Sequence, residues 1–158
     1  MELAQAKKIA EKYVEQLKPY CKIIAIGGSI RREQPFVKDI EIVAVRDIKK
    51  ILELKDLVET WHKVKGEPIG KYTQRVLPEG IKLDLFFADE RNFGLIFLIR
   101  TGNWKYSKWM MGSKAREKGF IVDRGYLWSK GVIVDVPSEE VFYSLMQMPF
   151  VEPKLREY

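Results

Sequence analysis

The strongest constraint on the fold comes from two short stretches in which acidic and apolar residues alternate. The first is DIEIVAV at 39–45, and the second is IKLDLFF at 81–87. Alternation is typical of a half-buried β-strand, because successive side chains point to opposite faces of a sheet. Asp39 and Glu41 therefore share one face of the first strand, and Asp84 stands between two apolar residues in the second. If these strands are neighbours, three carboxylates converge on one patch.

The rest of the pattern predicts an α/β (α+β) protein with a mixed sheet flanked by helices. Periodic apolar residues predict helices at 2–18, 47–61, 93–99 and 104–118, and Ser138 is a suitable N-cap for a last helix. Further strands are expected at 22–26, 72–77, 120–122, 126–128 and 132–134. The composition changes after Asp89, so we expect one domain over residues 1–89 and a second, smaller one over 90–158.

Composition excludes several classes of protein. Hydrophobic residues make up 46% of the chain and charged residues 32%, which is typical of neither a disordered chain nor a membrane protein. A single cysteine and a single histidine argue against disulfide frameworks, zinc sites and Ser/His/Asp triads. The N-terminus has no signal or transit peptide pattern. We expect a monomer that does not bind membranes and is cytoplasmic, or virus-encoded and active inside a host cell.

The acidic residues on the first strand suggest metal chemistry. Asp39 and Glu41 repel each other unless a cation lies between them, and an all-oxygen donor set favours Mg²⁺ or Mn²⁺. Two such ions can activate an attacking oxygen and stabilise a leaving one in phosphoryl transfer. Taken alone, the Asp-x-Glu pattern is a weak signal, and two solvated acids on an exposed strand face explain it better than a metal site does.

A glycine-rich turn ten residues earlier strengthens the metal interpretation. Gly27-Gly28-Ser29 follows a strand and precedes Arg31-Arg32. Glycines allow tight turns whose amides bind anions, and arginine donates charge-assisted hydrogen bonds to phosphate oxygens. An ordinary turn beside surface arginines would give the same letters. Together with the carboxylate strand, however, the turn predicts a cradle for a nucleoside triphosphate and its metal ions.

The excess positive charge lies in one segment. Residues 99–130 contain eight basic and two acidic side chains, which accounts for the whole formal net charge of +6. Three of the four tryptophans lie in the same segment. Cations interleaved with aromatic rings are typical of nucleic-acid binding. A solvated helix face above core aromatics is an equally good interpretation of the composition alone.

These motifs carry a family resemblance. GGSIRR, then DIE and a later LDLF, closely resemble the nucleotidyltransferase palm and, within it, the family X DNA polymerases of the polymerase β group. Further along, RTGN at 100–103 stands where that family has its Thr-Gly nucleotide motif. EKGFIVDRGYLW at 117–128 and the closing VEPKLRE are similar to its basic helix, hairpin and tail. In size the chain resembles the small viral members, which have only a palm and a C-terminal subdomain.

The resemblance implies a fold, an activity and cofactors. Residues 1–89 would form the catalytic palm, and 90–158 the subdomain that binds the nucleotide and the nascent base pair. The chain would add dNTPs to the 3′ end of a primer on gapped or nicked DNA, in gap filling or DNA repair. Two Mg²⁺ ions, or Mn²⁺ in their place, would serve as cofactors. Asp39 and Glu41 would ligate both ions, and Asp84 would bind the catalytic one and help to deprotonate the primer 3′-hydroxyl.

The resemblance also implies which residues contact the substrates. Those for the nucleotide are Gly28, Ser29, Arg32, Lys38, Thr101, Gly102 and Asn103. Those for DNA are Lys82, near the primer terminus, and Lys105, Lys108, Lys114 and Arg116 on the basic helix.

Two other functions stay open at this point. One is nucleotidyl transfer to another acceptor, namely untemplated tailing, an RNA 3′ end, a protein or a small molecule. The other is nucleic-acid binding by an inactive palm.

The sequence departs from the family pattern at four places. Glu41 replaces the usual Asp, and Lys38 replaces the usual Gly before the first carboxylate. Ile99 and Arg100 stand where the family often has two aromatic residues, which leaves sugar selection open. The segment between Gly102 and Gly119 is one residue longer than the common form.

Overall fold

A five-stranded mixed sheet carries the N-terminal half of the chain. The computed structural model describes all residues, 1–158. The strand order is β1-β2-β5-β4-β3, and only β2 and β5 are parallel. The strands are β1 (Cys21–Ile26), β2 (Asp39–Arg46), β3 (His62–Lys65), β4 (Tyr72–Val76) and β5 (Lys82–Ala88). The expected mixed sheet is confirmed, with the two acidic strands as neighbours.

One face of the sheet packs into the larger hydrophobic core, and the carboxylates lie on the opposite face. Ile40 and Ile42 of β2 and Leu83 and Leu85 of β5 are fully buried there. The face is covered by α1 (Leu3–Leu17) and α3 (Ile51–Glu59). Because side chains alternate, burying the even residues of β2 turns Asp39 and Glu41 to the opposite face.

That opposite face is only partly covered. Helix α4 (Phe93–Thr101) lies over the C-terminal ends of the strands, where Phe93 joins the strand residues Val43, Val45 and Phe86 in a small buried cluster. At the N-terminal ends of β2 and β5, Asp39 and Glu41 are half-buried and Asp84 is buried, while Lys82 is exposed. The sheet therefore presents its acidic residues beside a helix that ends next to them.

The C-terminal part has its own apolar cluster. It contains a helical segment, a three-stranded sheet and a final helix, packed around Leu98, Met110, Leu127 and Phe142. The elements are α5 (Trp104–Lys108), a π-helical stretch (Trp109–Lys114), α6 (Ala115–Glu117), β6 (Ile121–Asp123), β7 (Tyr126–Ser129), β8 (Val132–Val134) and α7 (Glu139–Leu145). Ser138 caps α7, as its sequence position predicts, by accepting a hydrogen bond from the Val141 amide.

Three details differ from the sequence-based expectations. The helix expected at 47–61 begins as a 3₁₀ turn and ends at Glu59. His62 then starts β3, an edge strand with all four side chains exposed, which lacks the apolar alternation by which strands are recognised. The expected helix at 104–118 contains the π-helical stretch. The division of the chain at residues 89 and 90 stays a prediction, and none of the helices could cross a lipid bilayer.

Candidate active site

Three carboxylates occupy one face at the open end of the sheet. In the parallel pairing of β2 with β5, Glu41 lies directly opposite Asp84, and Asp39 lies opposite Lys82. Side chains at paired positions point to the same face. The structure therefore brings Asp39, Glu41 and Asp84 together, although the last two are 43 positions apart in sequence.

Asp84 is held from the neighbouring strand. Its Oδ1 accepts a hydrogen bond from the Tyr72 hydroxyl at 2.6 Å and another from the Gln74 side-chain amide at 2.8 Å. Both donors lie on β4, where Gln74 pairs with Asp84. Sequence reasoning did not name these two residues. The sequence nevertheless indicates them, because an antiparallel hairpin closed by Pro78-Glu79-Gly80 places Gln74 and Tyr72 on the same sheet face as Asp84.

Burial and the charge of Asp84 raise the pKa of both carboxyl groups on β2. Burial first and then the Asp84 charge raise the pKa of Glu41 from 4.5 to about 7. The pKa of Asp39 is also raised, by burial and by Asp84, while nearby Lys38 and Lys82 lower it. Negative charge at this patch is therefore costly unless cations balance it.

The donor set fits a hard divalent cation. All three side chains offer oxygen, and their mutual repulsion would be relieved by a bound Mg²⁺ or Mn²⁺ ion. The side chains do not close around one point in the structure, and no group of three or more His, Cys, Asp or Glu side chains does so anywhere in the chain. Glu41 leans instead against Gly28, and Asp84 is tied to β4.

The glycine turn contacts the carboxylate strand directly. The Gly27 amide donates to the Glu41 carbonyl at 2.8 Å. Gly28 has a φ of +60°, and a Cβ at that position would lie 1.9 Å from Glu41 Oε2. Gly28 is therefore required both for its backbone conformation and for the space that Glu41 fills. Ser29 follows in the first turn of the short helix α2 (Gly28–Arg31), whose leading amides have no intrahelical acceptor.

Arg32 joins this turn to the end of α4. Its guanidinium donates to the Thr101 carbonyl and carries a charge that favours ionised Glu41. Burial lowers the pKa of Arg32, and the Glu41 charge opposes that effect. A Cβ at Gly102, where φ is +73°, would lie 3.0 Å from Arg32 Nη1. The predicted phosphate cradle and the predicted nucleotide motif are thus in contact.

Thr101 and Asn103 are engaged within the protein. Thr101 is fully buried, and its hydroxyl donates to the Phe97 carbonyl at 2.7 Å. The Asn103 side chain caps α5 by accepting from the Tyr106 amide at 3.0 Å. Both residues therefore shape the backbone between α4 and α5.

Arg31 has a different place from the one that its motif suggested. Instead of pointing to open solvent as a phosphate donor, it makes two hydrogen bonds of 2.7 Å to the Glu139 carboxylate and one of 2.9 Å to the Thr101 hydroxyl. Glu139 also accepts two hydrogen bonds from Arg156, which is 1% exposed. This buried ion triad joins the glycine turn, α7 and the C-terminal tail.

The predicted DNA-binding lysines and arginine occupy separate places. Lys82 is exposed beside Asp39, and Lys38 is exposed immediately before it. Lys105 and Lys108 are exposed and line one surface cleft. Lys114 and Arg116 lie further along the helical segment, outside that cleft, and Lys114 is 3.6 Å from Glu117. The π-helical stretch Trp109–Lys114 begins directly after Lys108 and ends at Lys114. Such a stretch would accommodate the one extra residue between Gly102 and Gly119.

Known proteins resemble this chain in its C-terminal part and in its overall fold. Residues 96–157 match the family described as DNA polymerase beta thumb. The fold is similar to that of polymerase beta from Leishmania infantum, solved as a ternary P/T complex, with a TM-score of 0.76 and 16% sequence identity. The alignment covers 100% of this chain and 77% of that one. No curated protein sequence matches. The C-terminal part of the chain is therefore similar to the DNA polymerase beta thumb family, and the whole chain has a fold similar to that of polymerase beta, as the resemblance to family X polymerases predicts.

Proposed function

We propose that this protein is a DNA-directed DNA polymerase of the family X type. It adds dNTPs to a DNA primer 3′ end by two-metal nucleotidyl transfer, in gap filling or repair. The observation that carries the proposal is the juxtaposition of Asp39, Glu41 and Asp84 on one sheet face with the glycine turn packed against Glu41. The thumb domain and the polymerase beta fold support the same conclusion.

In this proposal each of the three carboxylates has its own role. Asp39 and Glu41 would hold two Mg²⁺ ions, whose chemistry is to activate an attacking oxygen and to stabilise a leaving one. Asp84, oriented by Tyr72 and Gln74, would help to hold one ion and to take the proton from the primer 3′-hydroxyl.

The nucleotide would lie between the glycine turn and the start of α5. Amides at Gly28 and Ser29 and the Arg32 guanidinium bind its phosphates, with Lys38 at the edge. Gly102, with its neighbours Thr101 and Asn103, forms the wall beside the sugar and base. Arg32 is already in contact with that wall through the Thr101 carbonyl, so one side chain bridges both halves of the site.

DNA would lie across the exposed cations. Lys82 is next to the carboxylates and so to the primer end. The helical segment supplies Lys105, Lys108, Lys114 and Arg116 for contacts with backbone phosphates. The protein would act as a monomer.

Primer extension tests the proposal. A labelled primer is incubated with each dNTP or rNTP, with and without template, in Mg²⁺ and in Mn²⁺. We expect template-directed dNTP addition by the wild type and none by Asp39→Asn or Asp84→Asn. Asp56→Asn, which removes an exposed charge on α3, is the matched control and should extend normally. Thermal unfolding should show that the site variants remain folded, since each change relieves repulsion.

The outcomes separate the alternatives. Addition that does not depend on template would support a tailing enzyme in place of a repair polymerase. Extension that survives either carboxylate substitution would refute the two-metal assignment. DNA binding without any metal-dependent incorporation would leave a nucleic-acid-binding palm.

A further inference from the structure

An exposed aromatic surface lies beside the candidate nucleotide site. Trp104 begins α5, directly after Asn103, and its side chain is 69% exposed. Trp109 lies five residues later, and Tyr158 stacks on it with ring centroids 5.1 Å apart and an interplanar angle of 10°. Tyr158 is itself 72% exposed, so the ring face turned away from Trp109 is open.

The aromatic rings share one cleft with lysines. Trp104, Trp109 and Tyr158 line a cleft of about 500 Å³ together with Lys105 and Lys108, and none of its lining residues is acidic. The Lys105 ammonium lies 5.8 Å from the centre of the Trp104 ring. Gly112, also in the lining, has no neighbouring atom within 4 Å of a Cβ, so the floor is open at that point.

These features select one kind of occupant. A protein partner would match an apolar patch with apolar groups and would gain little from unpaired lysines. A duplex offers phosphates to Lys105 and Lys108, but its bases are already stacked on one another. An unpaired base offers a free π-face to Trp104 or Tyr158, while its flanking phosphates reach the lysines. The charge and the ring exposure together fit single-stranded nucleic acid.

We propose that Trp104 and Tyr158 form a stacking platform for unpaired bases of a single-stranded segment, which on the proposed function is the template strand beyond the nascent pair. This deepens the proposed function and rests on it for the name of the strand. Trp109 supports the platform, because it is half-buried and holds Tyr158 in place. Base stacking then adds a component to binding that salt does not screen, next to the phosphate contacts of the lysines.

An abasic oligonucleotide separates stacking from charge. Binding of a labelled oligothymidylate and of an abasic oligomer of the same length is measured by fluorescence anisotropy, without metal or nucleotide. We expect Trp104→Ala and Tyr158→Ala each to weaken oligothymidylate binding about 10-fold and to leave binding of the abasic oligomer unchanged. Lys108→Ala should weaken both. Leu52→Ala, an equally exposed apolar residue on α3, should weaken neither.

Further measurements keep the proposal falsifiable. Trp104→Phe should retain most of the affinity, and the ratio of wild-type to Trp104→Ala affinity should not change with salt. Equal weakening of both oligomers by Trp104→Ala, or no weakening of either, would overturn the platform. A dimer in sedimentation that Trp104→Ala dissociates would also overturn it, since a second copy would then cover the surface. Asp39→Asn should bind as the wild type does, so failure of extension and failure of stacking are distinguishable.

Discussion

Arg31 and Glu139 are 108 residues apart in sequence and are joined by two hydrogen bonds of 2.7 Å each. Arg156 binds the same carboxylate from the C-terminal tail at 2.8 and 3.0 Å. The triad fastens the turn that begins the proposed triphosphate site to the last helix, α7. The buried Arg156 guanidinium and the partly buried Arg31 guanidinium depend on one carboxylate for their charge balance.

Removing the Glu139 carboxylate should destabilise the folded protein. Glu139→Gln leaves two arginines without a counter-charge, and we expect it to lower the free energy of unfolding by about 3–5 kcal/mol. The neighbouring residue offers a matched control, because Glu140 is exposed and Glu140→Gln should change stability little. Chemical denaturation measures both. Equal stability of the two variants would contradict a structural role for the triad.

The same carboxylate predicts a pH dependence. Burial alone would raise the pKa of Glu139, but hydrogen bonds from Arg31 and Arg156 outweigh it and lower the pKa below 4.5. A lowered folded-state pKa contributes stability that is fully present above the unfolded value and is lost as pH falls through the folded value. We therefore expect wild-type stability to fall more steeply than that of Glu139→Gln below about pH 4.5. Parallel curves for the two proteins in that range would contradict the assignment.

The contact between Gly28 and Glu41 predicts that position 28 does not tolerate a side chain. Gly28→Ala should abolish extension and destabilise the fold, because the added Cβ clashes with Glu41 Oε2 in addition to its strained φ. Gly131→Ala is the control, since Gly131 has a φ of +77° and open space around it, and should cost only about 1–2 kcal/mol. Shortening the neighbour in a Gly28→Ala/Glu41→Asp double variant should recover part of the lost stability. If Gly28→Ala behaves like the control, the contact is unimportant.

The hydroxyl of Tyr72 should affect metal binding. Tyr72→Phe removes the 2.6 Å hydrogen bond that orients Asp84, and we expect the Mg²⁺ concentration for half-maximal extension to rise about 10-fold. Tyr126→Phe removes a comparable hydrogen bond to Asp89, at the far end of the strands, and serves as the control. A metal titration that Tyr72→Phe leaves unchanged would show that β4 does not position the ligand.

Salt dependence should identify the lysines that contact phosphate. Lys108→Ala should reduce the slope of log affinity against log salt for single-stranded DNA by about 0.7, which corresponds to one lost phosphate contact. Lys8→Ala, which replaces an exposed lysine on α1, should leave the slope unchanged. The two variants are compared by titrating a labelled single-stranded oligonucleotide over a range of salt concentrations. A slope that neither variant alters would remove Lys108 from the DNA interface.

Much of the sheet and of the carboxylate patch could be predicted from local patterns. Alternation in β2 and β5 assigns Asp39, Glu41 and Asp84 to one face as soon as the strands are neighbours, and the structure makes them neighbours. The strand β3 could not be recognised, because its four residues are polar or exposed and its pairing depends on β4.

Local sequence patterns could not predict which groups bind Arg31 and Arg32. Arg31 and Arg32 are adjacent and chemically identical, yet one enters a buried triad and the other faces Glu41 and the Thr101 carbonyl. That choice depends on Glu139 and Arg156, which only the tertiary fold brings close. The Tyr72 and Gln74 contacts, by contrast, follow from hairpin register and were accessible to sequence reasoning.

The packing of helix α4 limits how the C-terminal part of the chain could be exchanged for that of another protein. Its residue Phe93 packs on the sheet at the C-terminal ends of β2 and β5, and Leu95 and Leu98 pack in the C-terminal cluster. A chimaera that takes everything after α4 from another protein would have to fit a foreign core around Leu95 and Leu98. One that takes α4 as well would have to fit foreign side chains onto Val43 and Phe86. Either junction therefore calls for matched substitutions on both sides of this nine-residue helix.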